Sequence, residues 1–95
     1  MNEYKYEIQK TSRFKGDYKL IKKRGYDLAL LAEVIRVLAK GEQLDAKYKD
    51  HPLKGSFVGC RECHVTPDWL LIYEIDDDKL YLYLTRTGTH SDLLE

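Results

Sequence analysis

Long apolar runs are missing from this sequence. None approaches the roughly 20 residues that a bilayer-spanning helix needs, so no membrane partner is expected. The first ten residues, MNEYKYEIQK, lack the apolar stretch of a secretory signal, and the chain therefore reads as cytoplasmic. Cysteine is scarce: Cys60 and Cys63 are the only two, and in a cytoplasmic chain both are expected to be reduced thiols. Net charge is absent as well, since 16 Lys and Arg balance 16 Asp and Glu. No internal repeat or low-complexity segment is visible. What is left is material for one domain over residues 1–95, with 43% hydrophobic residues to build its core.

The zero net charge hides an asymmetry. Residues 1–24 carry eight Lys and Arg against three acids, and residues 62–95 carry two bases against eight acids. Two surfaces with different partners would produce that split, although a lysine-rich solvated helix face would too. The scarce residues are also unevenly placed. Trp69, Pro52, Pro67, both cysteines and all three histidines (His51, His64, His90) lie between Lys47 and His90. Chemically able residues gathered in one stretch point to a site built there.

Periodicity supplies the scaffold. Tyr4 to Ile8 alternates in the manner of a half-buried strand. Thr11-Ser12 offers a hydroxyl cap to a helix carrying Phe14, Tyr18 and Ile21, which stops near Gly25. Asp27 caps a second helix with Leu28, Leu31, Ile35 and Leu38 as its stripe, widened by Leu30, Val34 and Val37. Residues 42–59 read mostly as loop, with Asp50-His51-Pro52 in its middle. Strands are expected at Arg61–Val65, Trp69–Ile75 and Lys79–Thr87, with a turn at Asp76-Asp77-Asp78 and one helical turn after His90. An N-terminal strand, a helical hairpin and a three-strand antiparallel meander make an α+β domain. Its helices cover one face of a small antiparallel sheet and leave the other face as a working surface.

On that surface the histidines come first, because imidazole can give or take a proton near neutral pH. Asp68 reads as a proton-transfer or orienting carboxylate, and Trp69 as a wall of the site. Arg86 falls by strict alternation on the face of Leu80, Leu82 and Leu84. Only a bulge or an end twist would re-aim it toward a phosphate, where a guanidinium suits a phosphoryl transition state. Cys60-Arg61-Glu62-Cys63-His64 spells the C-x-x-C-H of covalent haem attachment. In a strand those two thiols would face opposite sides, which disfavours both haem and a zinc site. No cofactor and no metal is expected.

Three runs, YKDHPLKGS, CHVTPDW and RTGTH, resemble the signature of the YafQ branch of the RelE superfamily of bacterial toxins. Length and element order are similar over nearly the whole chain. The resemblance implies the toxin of a type II toxin–antitoxin system. Such a toxin is a ribosome-dependent, metal-independent endoribonuclease that cuts mRNA and is neutralised by a cognate antitoxin protein in a hetero-oligomer. By the same resemblance His51, His64, Asp68, Arg86 and His90 are the catalytic set, and Trp69, Lys54, Arg61 and Leu94 contact the substrate. The basic N-terminal helix would then lie on ribosomal RNA. One departure stands out: Leu93-Leu94 occupies the place of an aromatic near the C-terminus, and an aliphatic side chain cannot stack on a base. A catalytically weak homologue that only binds antitoxin is the competing reading.

Overall fold

A computed structural model describes residues 4–93. The chain runs β1 (Glu7–Lys10), α1 (Ser12–Lys23), α2 (Leu28–Ala39), β2 (His51–Pro52), β3 (Arg61–Thr66), β4 (Trp69–Asp76), β5 (Tyr81–Gly88) and α3 (His90–Leu93). All five strands form one sheet in the order β1-β5-β4-β3-β2. The α+β class and the helical hairpin agree with the sequence reading.

Both helices start where expected. Thr11 Oγ1 accepts the Phe14 N–H at 3.0 Å, and an Asp27 carboxylate oxygen accepts the Ala29 N–H at 3.1 Å. Each bond satisfies one of the donors that a helix N-terminus leaves unpaired. Gly25 adopts φ +83 just beyond α1, a left-handed conformation that glycine reaches without a Cβ clash. Phe14 and Ile21 of α1, with Leu31, Val34 and Leu38 of α2, are buried against the sheet. Leu30 instead stands 45% exposed on the rim of α2.

The sheet departs from expectation in four respects. β1 begins at Glu7 because the Lys5 and Tyr6 N–H groups both donate to the Ala39 carbonyl at 2.9 Å, which draws that segment off the sheet. β1 then pairs in parallel with β5, Glu7 opposite Tyr81, so the sheet is mixed and not antiparallel throughout. His51-Pro52, expected in a loop, is a two-residue edge strand antiparallel to β3, with His51 opposite Glu62. The turn before β5 also extends to Leu80, which sits at φ +58 and is exposed, so β5 starts at Tyr81.

Strand alternation divides the core. Cys63, Val65, Leu71, Tyr73, Leu82 and Leu84 face the helices, and burial of each leucine or valine among them stabilises the fold by about 1.5–3 kcal/mol. Cys60, Leu70, Ile72 and Leu93 form a smaller cluster on the other face, flanked by Leu53 and Phe57. The two cysteines thus belong to opposite layers, as the strand reading of C-x-x-C-H requires. The second face is therefore only partly open: a short turn at Gly55–Phe57 and α3 cover one end of it.

Candidate active site

His51, Glu62 and His64 come to one face of the sheet by register. His51 opposes Glu62 across β2 and β3, and His64 lies two residues further along β3, so period-two alternation keeps all three on one side. That side is the one with Leu70 and Ile72, because Glu62 pairs with Ile72 and His64 with Leu70. α3 then brings His90 over the same face. The His51 and His64 ring centres are 6.3 Å apart, and those of His64 and His90 5.8 Å. A loop edge, a strand and a C-terminal turn therefore converge, with His64 in the middle.

Each ring has a distinct set of partners. His90 Nδ1 lies 2.9 Å from Asp68 Oδ1. A carboxylate oxygen only accepts, so the proton of that contact sits on Nδ1 and Nε2 is left for substrate. The bond from His90 holds the Asp68 carboxyl below its ordinary range. His51 Nδ1 is 2.7 Å from the Lys49 carbonyl oxygen, which likewise places a proton on Nδ1, and its Nε2 faces Glu62 Oε1 at 3.3 Å. His64 Nδ1 lies 3.4 Å from the Pro67 carbonyl, a long and weak contact.

Arg86 leaves the core face through a bulge. Ile72 pairs with Arg86 and Tyr73 with Leu84, so Thr85 has no partner of its own, and Arg86 moves to the side of Ile72. Its guanidinium is buried, however, and held by Asp17 of α1 through Nε at 2.7 Å and Nη2 at 3.0 Å. The Thr87 N–H also donates to Asp17 at 3.1 Å. Asp17 is a residue the sequence did not single out: one acid in a lysine-rich helix looks solvated until its partner, 69 residues away, is known.

Other expected contacts fall elsewhere. Trp69 does not line the histidine surface: it is buried in the helix-side core, edge-on to Tyr26, with its Nε1–H on Thr87 Oγ1 at 2.9 Å. Arg61 sits on the Cys63 side of β3, with its Nε 3.3 Å from both oxygens of Asp50. Asp50 in turn accepts the buried Tyr73 hydroxyl at 2.7 Å, so this pair anchors the segment before His51. Lys54 is exposed at the start of the Gly55–Phe57 turn. Leu94 lies outside the described residues. Leu93 is buried in the smaller cluster.

α3, which carries His90, is fixed by three residues that sequence reasoning passed over. Thr89 and Asp92 cap each other reciprocally, at 2.9 and 3.1 Å, and Arg24 grips Asp92 with two nitrogens at 2.7 and 3.2 Å. The T-x-x-D spacing after Gly88 was the one legible signal for this cap.

Comparison with known proteins adds the family. Residues 6–95 match the family described as "Bacterial toxin of type II toxin-antitoxin system, YafQ". The chain is 44% identical over 88 residues to the mRNA interferase toxin YafQ of Escherichia coli K12, covering 92% of this chain and 94% of that one. It superposes on the crystal structure of YafQ from E. coli BL21(DE3) with a TM-score of 0.88 at 40% identity, over 95% of this chain and 99% of that one. The toxin of the E. coli DinJ-YafQ toxin–antitoxin complex gives 0.87 at 40% identity, over 96% and 99%. With fold and sequence both matching over almost their full length, this chain belongs to the YafQ family of type II toxin–antitoxin toxins.

Proposed function

We propose that this chain is an mRNA interferase that cuts mRNA on the ribosome by metal-independent acid–base chemistry and is neutralised in the cytoplasm by a cognate antitoxin. The observation that carries the reading is the row of His51, His64 and His90 on one sheet face, with Asp68 on His90. Cleavage by a ribose 2′-OH needs a base, an acid and stabilisation of the charged phosphorane. His64, between the other rings and only weakly engaged, takes the 2′-OH proton as the oxygen attacks the adjacent phosphorus. The P–O5′ bond breaks, and His90 Nε2 protonates the departing 5′ oxygen. The products are a 2′,3′-cyclic phosphate and a free 5′-OH.

Asp68 orients His90 and stabilises its cationic form, since its carboxylate already accepts the Nδ1 proton. Arg86, held by Asp17, brings its guanidinium to the same sheet face two strands away, across β4 from Glu62, with backbones about 10 Å apart. His51, with Glu62, is a second proton carrier beside the base. Support for the antitoxin comes from the E. coli relative, whose complex with DinJ is a solved structure. The basic residues of α1, exposed at Lys15, Lys19, Lys22 and Lys23, suit the phosphates of ribosomal RNA.

The test is expression of the wild type and of the His64→Ala/His90→Ala double variant, with mRNA 5′ ends mapped by primer extension. New 5′ ends inside reading frames are expected for the wild type alone. A wild type that makes none would favour the antitoxin-binding module instead.

A further inference from the structure

We infer that the groove between α2 and the outer edge of β3 is a binding subsite for the nucleotide flanking the scissile phosphate. This rests on the RNA-cleavage reading above and names where that reading places its substrate. β2 pairs with β3 only at Arg61 and Glu62, and among the described residues no strand pairs with the outer side of His64 to Thr66. Beside it lies a groove of about 410 Å³, within the roughly 300–1,000 Å³ of sites that hold small organic groups. Leu30, Tyr48 and Pro67 give it apolar walls, and Lys47, Lys49 and His64 give it polar ones.

The composition fits one nucleotide. A base needs flat apolar surface, and the half-buried Tyr48 ring and the 45% exposed Leu30 provide it. A phosphate needs cations. Among the described residues no carboxylate pairs with Lys47 or Lys49, and Lys47 Nζ lies 5.2 Å from the centre of the Tyr48 ring, so an anion beside that ring would meet its charge. The groove also shares parts with the catalytic row. His64 is in its wall, and the carbonyl of Lys49, at φ +51, holds His51 Nδ1. A nucleotide seated here would therefore present its neighbouring phosphate to the ring in the middle of the row. An exposed leucine on the rim of α2, otherwise unexplained by the core, acquires a role.

The probe is an RNA trinucleotide with a 2′-deoxy sugar at the attacking position, titrated into the purified protein without ribosomes and followed by amide NMR. Shifts should concentrate at residues 47–49 and 64–66. Lys47→Ala/Lys49→Ala should weaken binding and lower the salt slope by about 0.7, the loss of one single-strand phosphate contact. Leu30→Trp, at an exposed position, should fill the groove and block binding with both lysines intact. Shifts confined to α1, or a Leu30→Trp protein that binds like the wild type, would overturn the subsite and leave the lysines as general RNA contacts. The two readings fail separately. Wild-type cleavage without groove shifts removes the subsite alone, whereas groove shifts in a protein that makes no cuts remove the nuclease alone.

Discussion

Asp68 and His90 are joined through Nδ1 at 2.9 Å, so His90 offers its Nε2, and only that nitrogen, to a substrate. The contact is on the surface: the two side chains are 73% and 49% exposed. It is a means of orientation more than a source of stability. Both contacts with His90 use Oδ1, so the bond gives Asp68 an orienting contact while its Oδ2 stays exposed.

Asp68→Asn and His90→Ala should therefore differ. Removing a general acid costs about 10²–10⁴ in rate. Asparagine keeps an oxygen for Nδ1 and loses only the charge, so Asp68→Asn should slow cleavage several-fold. Single-turnover cleavage on programmed ribosomes gives both numbers. An Asp68→Asn protein as slow as His90→Ala would make Asp68 itself the group that moves the proton.

Arg86 and Asp17 form the most enclosed ion pair described in the chain, with side chains 9% and 14% exposed. Breaking such a pair strands a charge in a poorly solvated place and costs about 3–5 kcal/mol. Asp17→Ala should lower the urea midpoint accordingly. Arg86→Lys keeps the charge but cannot make two parallel bonds to the carboxylate, so it should lose stability and cleavage together. Cleavage that survives Arg86→Lys unchanged in the folded protein would remove the arginine from transition-state stabilisation.

The sequence disclosed local features well and distant ones poorly. Thr11 and Asp27 announce their helices because a cap is a contact over two or three residues. Arg86 continues the period of Leu82 and Leu84 without a break, and nothing in that pattern reveals the bulge at Thr85 that turns it over. Its place after Asp68 and the PDW motif both put Trp69 in the site. Alternation along β4 sets its side, though, and puts it with Leu71 and Tyr73 against the helices, edge-on to Tyr26. Parallel pairing of β1 with β5 joins residues some 74 positions apart, as in Glu7 with Tyr81, beyond any local pattern.

The cysteines should be inert. Burial pushes the Cys63 thiol up to about 12 and also raises that of Cys60. At pH 8, four units below that value, roughly one Cys63 in 10⁴ is thiolate, the form that reacts. A chromogenic disulfide reagent should find no fast thiol in the native protein and both after unfolding in urea. Rapid native labelling, or a bond between Cys60 and Cys63 after mild oxidation, would contradict their placement in opposite layers.

The pH response of α3 follows from Asp92. Arg24, and after it the Thr89 N–H, hold this carboxyl down to about 2, against an ordinary aspartate value of about 3.9. A depressed carboxylate stabilises the fold fully above its unfolded value and loses that contribution as pH falls through the folded one. The attachment of α3 should thus be intact above about pH 4 and give way toward about pH 2. Leu93, the buried residue of this helix, provides the probe: its methyl resonances should move with a midpoint near the Asp92 value and not at that of a free carboxyl. Arg24→Ala removes the main cause of the depression and should shift the midpoint upward. Gly88→Ala reaches the same joint sterically, since a Cβ there would lie 2.9 Å from the Asp92 Cβ. At neutral pH it should displace α3 and slow cleavage, with His90 chemically unaltered. Leu93 methyls that titrate at the ordinary carboxylate position in the wild type would show that Arg24 does not hold α3 in place.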